Sequence, residues 1–241
     1  MKICMISNSH VAAVKFAWDA LDDTGDVRLT FFAAPKFGLN RLTVRSEEVA
    51  LDAQPNKALA NQIKLSSGGL DRISVNDYDL FWTHGLNFIL PRLDQRLSSA
   101  VIGKAIEGSI ENSLAHDIVG QLREITDKPV LLSPEPLLAD IGVEGVNSAT
   151  NLPAKMVSHE DICDLFAERM FYENVHFLWQ EPHTVGPQMN TLREFSENSN
   201  RIEHGNRGTH HKQGDVRHMN NEFGAVVLQA AVERARTLLG E

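Results

Sequence analysis

The chain alternates between short apolar runs and longer segments in which apolar residues recur every three or four positions. The short runs have strand length, are rich in aliphatic and aromatic residues, and end at polar residues, glycine or proline, as buried strands do. They predict five strands, at Lys2–Ile6, Val27–Ala33, Tyr78–Thr83, Pro129–Pro134 and Val175–Trp179.

The segments between these runs have helical periodicity. Apolar residues fall on one face in Val11–Leu21, Leu97–Ile125, His159–Asn174 and Asn220–Leu239. Strand and helix therefore alternate, which is typical of a parallel sheet between two layers of helices. We predict an α/β fold, a three-layer α/β/α sandwich with a mostly parallel sheet of about five strands. The chain length favours a single domain, residues 1–241.

Two segments show neither strand-length apolar runs nor helical periodicity. Residues 41–76 contain short apolar pieces separated by polar residues, proline and glycine, and residues 183–214 are rich in Asn, His, Gly and Arg. We expect both to be excursion loops outside the core, the second a long surface loop with short turns. Residues 142–158 are predicted to form a further loop. Loops of such length in compact domains are often functional.

Composition excludes several classes of partner. The formal net charge of −9, without a basic stripe interleaved with aromatic residues, argues against binding nucleic acid. No apolar run reaches transmembrane length, and the first one is too short and too soon interrupted for a secretory signal. We therefore expect a cytoplasmic protein with no membrane partner. Cys4 and Cys163 are expected to be core thiols. Nothing in the pattern indicates an oligomeric state.

The first candidate for chemistry lies directly after the first predicted strand, where residues 7–10 read Ser-Asn-Ser-His. A serine here would lie at the carboxyl end of a strand and against the amino end of a helix. Free backbone N–H groups at a helix start stabilise developing negative charge. Ser9 is therefore a candidate nucleophile. The competing interpretation is a helix cap, which is a common role of Ser and Asn.

A matching candidate lies just before the last predicted helix, where residues 215–218 read Asp-Val-Arg-His. An Asp three residues before a His in a turn can accept the Nδ1–H of the imidazole and leave Nε2 free. A serine nucleophile requires a general base held in this way. Alone, Asp215 and His218 would be ordinary loop or cap residues, but together with Ser9 they predict a serine hydrolase triad.

With these segments in this order, the chain resembles the SGNH (GDSL-like) serine hydrolase superfamily. In that family a Gly-Asp-Ser block follows the first strand, and residues 7–9 stand in its place with Ser9 at the nucleophile. The closing Asp-x-x-His block of the family matches residues 215–218. The resemblance implies a flavodoxin-like SGNH hydrolase fold and a catalytic triad of Ser9, His218 and Asp215.

The resemblance also implies an oxyanion hole. The family's Gly-x-Asn-Asp block is matched in part by residues 85–87, and Phe88 replaces its last acid. The family glycine after the second strand corresponds to Gly38. The implied donors are the N–H of Ser9, the N–H of Gly38 or Gly85, and the side chain of Asn87.

The activity implied by the resemblance is that of a serine esterase or deacylase. It would hydrolyse a small or carbohydrate-linked acyl ester through an acyl-enzyme intermediate, without a cofactor. Two alternatives remain open. One is an O-acyltransferase that uses the same triad. The other is a non-catalytic protein that binds a glycan or another partner, and the departures from the family motifs at Asn8 and Phe88 favour it.

Two other kinds of site are disfavoured by spacing. A tract rich in histidine contains groups that can ligate zinc, at His204, His210, His211, Asp215 and His218. The spacing matches no common zinc site, so we expect no metal. A dinucleotide site is disfavoured because residues 7–13 lack the glycines that let a pyrophosphate approach the backbone.

Overall fold

A computed structural model of the protein describes residues 1–53, 56–140, 155–169, 172–202, 209–212 and 214–241. The strands are β1 Lys2–Ser7, β2 Arg28–Ala33, β3 Thr43–Arg45, β4 Ala50–Asp52, β5 Arg72–Ser74, β6 Leu80–His84, β7 Val130–Ser133, β8 Val175–Phe177, β9 Val185–Gly186, β10 Asn190–Thr191, β11 Asn200–Arg201 and β12 Thr209–His210. The α-helices are α1 Val11–Asp19, α2 Lys57–Ser67, α3 Ser99–Glu111, α4 Leu114–Arg123, α5 His159–Ala167 and α6 Asn221–Leu239.

The central sheet has five parallel strands in the order β2-β1-β6-β7-β8. This confirms the predicted fold class and all five predicted strands. The chain passes from β1 to β2 on one side and then returns to β6 on the other. In open parallel sheets, the cleft at such a reversal, outside the carboxyl ends of the strands, is the usual place for a ligand. The turns after β1 and β6 lie at this cleft.

Helices cover both faces of the sheet, as predicted. Side chains of β1 alternate between the faces, so that Ile3 and Met5 join one apolar cluster and Cys4 and Ile6 join the other. The first cluster lies under α1 and α6, and the second lies under α2, α3, α4 and α5. Cys4 and Cys163 are buried and free, as expected.

The helices α1 and α6 touch at the level of their backbones. Gly224 makes this possible, because a Cβ at that position would lie 2.0 Å from the carbonyl oxygen of Ala13. Ser9 lies just before the start of α1, and His218 lies just before the start of α6. The N-cap of α6 is Asn220, whose Oδ1 accepts the N–H of Phe223 at 3.1 Å. The two helices thus hold the two predicted catalytic segments side by side.

The expectation that residues 41–76 form an excursion loop is wrong. The segment contains the antiparallel sheet β3-β4-β5 and the helix α2, and Leu51, Ile63 and Ile73 are fully buried. The signal was missed because strands of three residues are too short to show an alternation. The start of α2 has a recognisable signal, because Asn56 caps the helix by accepting the N–H of Leu59.

The expectation for residues 183–214 is correct for secondary structure and wrong for exposure. The described part contains turns, two-residue strands and single turns of 3-10 helix, yet Thr184, Thr191 and Ser199 are buried. The predicted helices at Val11–Leu21 and His159–Asn174 end earlier, at Asp19 and Ala167.

The predicted loop at 142–158 lies mostly outside the described residues. None of the described helices is both long enough and apolar enough to span a membrane.

Candidate active site

Ser9 lies in the turn between β1 and α1, with its side chain exposed while its neighbours are buried. Two hydrogen bonds fix this turn from within. The Oγ of Ser7 donates to the carbonyl oxygen of His84 at 2.9 Å, and Oδ1 of Asn8 accepts the N–H of His10 at 3.1 Å. The turn therefore presents one hydroxyl to the cleft and holds the residues around it in place.

The structure brings His218 onto Ser9. Nε2 of His218 lies 3.0 Å from Oγ of Ser9, across the whole length of the chain. Nδ1 of His218 lies 3.0 Å from Oδ2 and 3.2 Å from Oδ1 of Asp215. Since a carboxylate only accepts, the Nδ1 atom carries the proton and Nε2 is free to accept the Ser9 hydroxyl. The three residues predicted from the sequence thus have the connectivity that a nucleophile, a base and an orienting acid require.

Asp215 is held in its ionised form. Burial disfavours the charge, but hydrogen bonds from the imidazole and the N–H of His218 and from the N–H of Arg217 outweigh it, so that the pKa of Asp215 lies below its usual value. The two backbone N–H groups donate to Oδ1 at 2.8 and 3.0 Å. The carboxylate therefore remains an acceptor for the imidazole at neutral pH.

Two further imidazoles enclose the ring of His218. The ring of His211 stacks on one side, with the centroids 3.9 Å apart and the planes 8° from parallel, and that of His10 lies on the other at 5.4 Å and 29°. Nδ1 of His211 also faces Asp215, at 3.3 Å from Oδ2. Burial, and then the nearby His218, lowers the pKa of His211. The ring of His211, whose neutral form is favoured, therefore stacks directly on the ring of His218.

Three residues of the histidine-rich tract lie close together, at His211, Asp215 and His218. One ligand atom of each of His211, Asp215 and His218 lies within 4.8 Å of the others. The rings of the two histidines are nearly parallel, so the in-plane lone pairs of their Nδ1 atoms cannot both point at one ion. This arrangement suits two hydrogen bonds to one carboxylate better than a metal. Of the remaining tract, His210 faces the carbonyl oxygen of Asn198, and His204 lies outside the described residues.

The turn after β6 has a left-handed backbone. Three consecutive residues have positive φ, which is +75° at Gly85, +55° at Leu86 and +59° at Asn87. A Cβ on Gly85 would lie 2.9 Å from Oδ1 of Asn8 and 3.1 Å from Cδ2 of His10. Only glycine fits at position 85, because this turn packs directly against the turn that carries Ser9.

The two glycines predicted for the oxyanion hole do not offer a free N–H. The N–H of Gly85 donates to the carbonyl oxygen of Ser133 at 3.0 Å, and the N–H of Gly38 donates to that of Pro35 at 3.1 Å. Sheet continuation and a tight turn, respectively, use these donors. By contrast, the N–H of Ser9 and Nδ2 of Asn87 have no hydrogen-bond partner among the described residues, and Oδ1 of Asn87 is buried without one. These two donors remain available.

Phe88, the departure from the family motif, faces the core. Its side chain is buried, and its ring centroid lies 5.3 Å from that of Phe166 and 6.0 Å from that of Phe177. The ring anchors the end of the left-handed turn by hydrophobic packing. The aromatic side chain is therefore part of the hydrophobic core.

Glu135 is the residue of this site that the sequence interpretation missed. It follows β7, and it reaches both the turn of Ser9 and the turn of Asn87 with its carboxylate. The neighbouring His84 is buried beneath the site, and burial, followed by the nearby His10, lowers its pKa to about 3. An acid between two prolines at the carboxyl end of a predicted strand was the available signal for Glu135.

A cavity of about 620 Å³ opens beside Asp215. Polar residues and charged residues of both signs line it, among them Arg193, Glu197, His211 and Lys212. It borders the carboxylate of the triad, in the segment where the sequence predicted a functional loop. A polar substrate group bound there would lie next to the catalytic segment.

Comparisons with known proteins give a likeness of structure only. No protein-family model matches the chain, and no curated protein matches its sequence. It is similar to a carbohydrate acetylesterase family member from Sinorhizobium meliloti, at 13% identity and a TM-score of 0.45, with 100% of both chains covered. It is also similar to the periplasmic domain of a lipopolysaccharide acetyltransferase from Salmonella ser. Paratyphi A, at 10% identity and a TM-score of 0.48, with 97% of this chain and 82% of that one covered.

A third similar structure is a carbohydrate esterase family 2 enzyme with a carbohydrate-binding domain from Corynascus thermopiles. The identity is 12%, the TM-score is 0.41, and 100% of this chain and 67% of that chain are covered. With identities this low, the function has to be argued from the geometry of the site.

Proposed function

We propose that the protein is a serine esterase or deacylase that cleaves a small or carbohydrate-linked acyl ester. The observation that carries the proposal is the contact of 3.0 Å between Oγ of Ser9 and Nε2 of His218, with Asp215 on the other imidazole nitrogen. A hydroxyl hydrogen-bonded to an oriented imidazole is the arrangement that activates serine for acyl transfer.

In the proposed reaction, Oγ of Ser9 forms a bond to the ester carbonyl carbon while its proton passes to Nε2 of His218. The carbonyl π-electrons move onto the oxygen, where the N–H of Ser9 and the amide of Asn87 donate to it. Collapse breaks the bond to the alcohol, which leaves with the proton from His218. Water then repeats the sequence on the acyl-enzyme and releases the acid and the free serine.

A labelling experiment tests the proposal. A fluorophosphonate should label the wild-type protein at Ser9, and a panel of p-nitrophenyl and acetylated-sugar esters should be hydrolysed. Ser9→Ala should abolish both, whereas Ser99→Ala, at an exposed serine at the start of α3, should change neither. Absence of labelling together with absence of turnover in the wild-type protein would overturn the proposal. Product formed from an added sugar alcohol, in competition with water, would identify an acyltransferase.

A further inference from the structure

One partly buried carboxylate joins three strand ends at the site. Oε1 of Glu135 accepts a hydrogen bond from Nδ2 of Asn8 at 3.1 Å and one from the backbone N–H of Asn87, also at 3.1 Å. Oε2 lies 3.5 Å from Nε2 of His10, and the N–H of Glu135 donates to the carbonyl oxygen of Phe88 at 2.7 Å. The Glu135 side chain is 13% exposed. These contacts link the ends of β1, β6 and β7.

The carboxylate is stabilised in its charged form at this partly buried position. Burial opposes ionisation, but the interaction with His10 and the hydrogen bonds from Asn8 and Asn87 outweigh it, so that the pKa of Glu135 lies below its usual value. Burying a charge is costly unless several donors satisfy it. The donors here come from the nucleophile turn and from the left-handed turn, which are the two segments that must be aligned.

This contact dictates the residue at position 8. Oδ1 of Asn8 accepts from His10, and Nδ2 donates to Glu135, so both ends of the amide are in use. A carboxylate at position 8 would place a second negative charge about 3 Å from the first, where like charges disfavour each other strongly. A neutral donor is therefore required next to Ser9 for as long as Glu135 is ionised.

The contact also supports the strained turn after β6. Leu86 and Asn87 have left-handed backbones, which are unfavourable in residues with a Cβ. The hydrogen bond from the N–H of Asn87 to Glu135 ties this backbone to the turn of Ser9. The backbone at Asn87 and the turn of Ser9 therefore depend on the same carboxylate.

We infer that Glu135 is a positioning residue that aligns the turn of Ser9 with the turn of Asn87, and that Asn8 is its obligatory neutral partner. The catalytic consequence of this inference rests on the proposed function. The contact between Asn8 and Glu135 does not, because its energetic coupling can be measured in the absence of any activity.

Paired variants of Glu135 separate geometry from charge. Glu135→Gln keeps an oxygen that can accept from Asn8 and Asn87, and should retain most of the activity. Glu135→Leu removes both acceptors, and should lower kcat and the rate of Ser9 labelling by about 100-fold with little change in KM, because the reacting groups are misplaced. Glu124→Gln and Glu124→Leu, at an exposed carboxylate, are the matched controls. Wild-type kcat in folded Glu135→Leu would overturn the inference.

A double-mutant cycle tests the pairing. Asn8→Asp should be about tenfold more harmful in the Glu135 protein than in the Glu135→Gln protein, both for Ser9 labelling and for the equilibrium constant of unfolding. Additive effects in the cycle would overturn the inference, as would activity losses that only follow the loss of folded protein. A wild-type protein without esterase activity that still shows coupled stabilities would overturn the proposed function and leave the contact in place.

Discussion

Two pairs of a carboxylate and an imidazole lie beside Ser9, and they differ in almost every physical respect. Asp215 and His218 belong to one loop, are partly exposed, and leave Nε2 of the imidazole directed at the hydroxyl. Glu135 and His10 come from distant parts of the chain and are mostly buried. In that pair Nε2 faces the carboxylate, and Nδ1 of His10 is buried with no partner among the described residues.

Both imidazoles have one nitrogen that faces a carboxylate, so the direction of the second nitrogen decides what each ring can do. The ring of His218 can pass a proton between Ser9 and a leaving group, because one nitrogen is oriented and the other faces the reacting atom. The ring of His10 lies only 5.4 Å away but has no nitrogen directed at Ser9 by a hydrogen bond. We therefore assign proton transfer to one pair and support of the scaffold to the other.

The largest effect is expected at His218, and it tests the division of roles between the two imidazoles directly. His218→Gln should lower kcat/KM for an ester substrate on the order of 10⁴-fold, because the base is lost. His10→Gln should lower it by less than about tenfold, since a Gln amide can still donate to Glu135. Initial rates and fluorophosphonate labelling measure both. Equal losses in the two variants would contradict the division of roles.

A smaller effect is expected at the oxyanion side of the site. Asn87→Ala should lower kcat by about 100-fold with KM nearly unchanged, because a donor to the developing oxyanion is removed. Asn40→Ala, at an exposed position after β2, is the control. A rise in KM with unchanged kcat would instead identify Asn87 as a ground-state binding residue.

The stacked ring of His211 should contribute less. His211→Ala removes the neutral ring that covers the His218 imidazolium, and a stacked aromatic is worth about 0.5–1 kcal/mol at a partly exposed site, or about two- to fivefold in kcat. His211→Phe keeps a ring in place and should recover most of that loss. If Phe and Ala give the same rate at pH 8, the hydrogen bond to Asp215 is the important contact of His211, and the stacking is not.

The two carboxylates, Glu135 and Asp215, should both make the stability of the protein depend on pH in the acidic range. The pKa values of Glu135 and Asp215 are lowered in the folded protein. Their contribution is therefore complete above the usual carboxyl pKa of about 4, and is lost as the pH falls through the folded values. Denaturation between pH 3 and 7 should give a free energy of unfolding that decreases toward acid, and Glu135→Gln and Asp215→Asn should each reduce that dependence. An unchanged slope in either variant would show that its carboxylate is not linked to folding.

The predictable part of the molecule is the part with long, regular patterns. Five strands of the central sheet and the final helix follow from apolar runs and helical spacing, and the Ser9, Asp215 and His218 cluster follows from two short motifs at predicted boundaries. Both kinds of signal are local in the chain.

The missed features depend on contacts between distant residues. Strands of three residues in 41–76 carry no period, so β3, β4 and β5 could not be recognised. The N–H groups of Gly38 and Gly85 are occupied by partners that only the fold supplies. In the sequence, Glu135 is only an acid between two prolines. Its contacts with the other turns arise because β1, β6 and β7 lie side by side.

The close approach at Gly224 has a consequence for how this chain can diversify. The helices that follow Ser9 and His218 touch backbone to backbone at Gly224, so this helix pair helps to set the distance between Oγ of Ser9 and Nε2 of His218. Insertions at the exposed turns can then change what enters the cleft without changing the spacing of the reacting atoms. If the protein is the proposed esterase, substrate choice and bond cleavage are separable traits in this architecture, because different parts of the chain determine them.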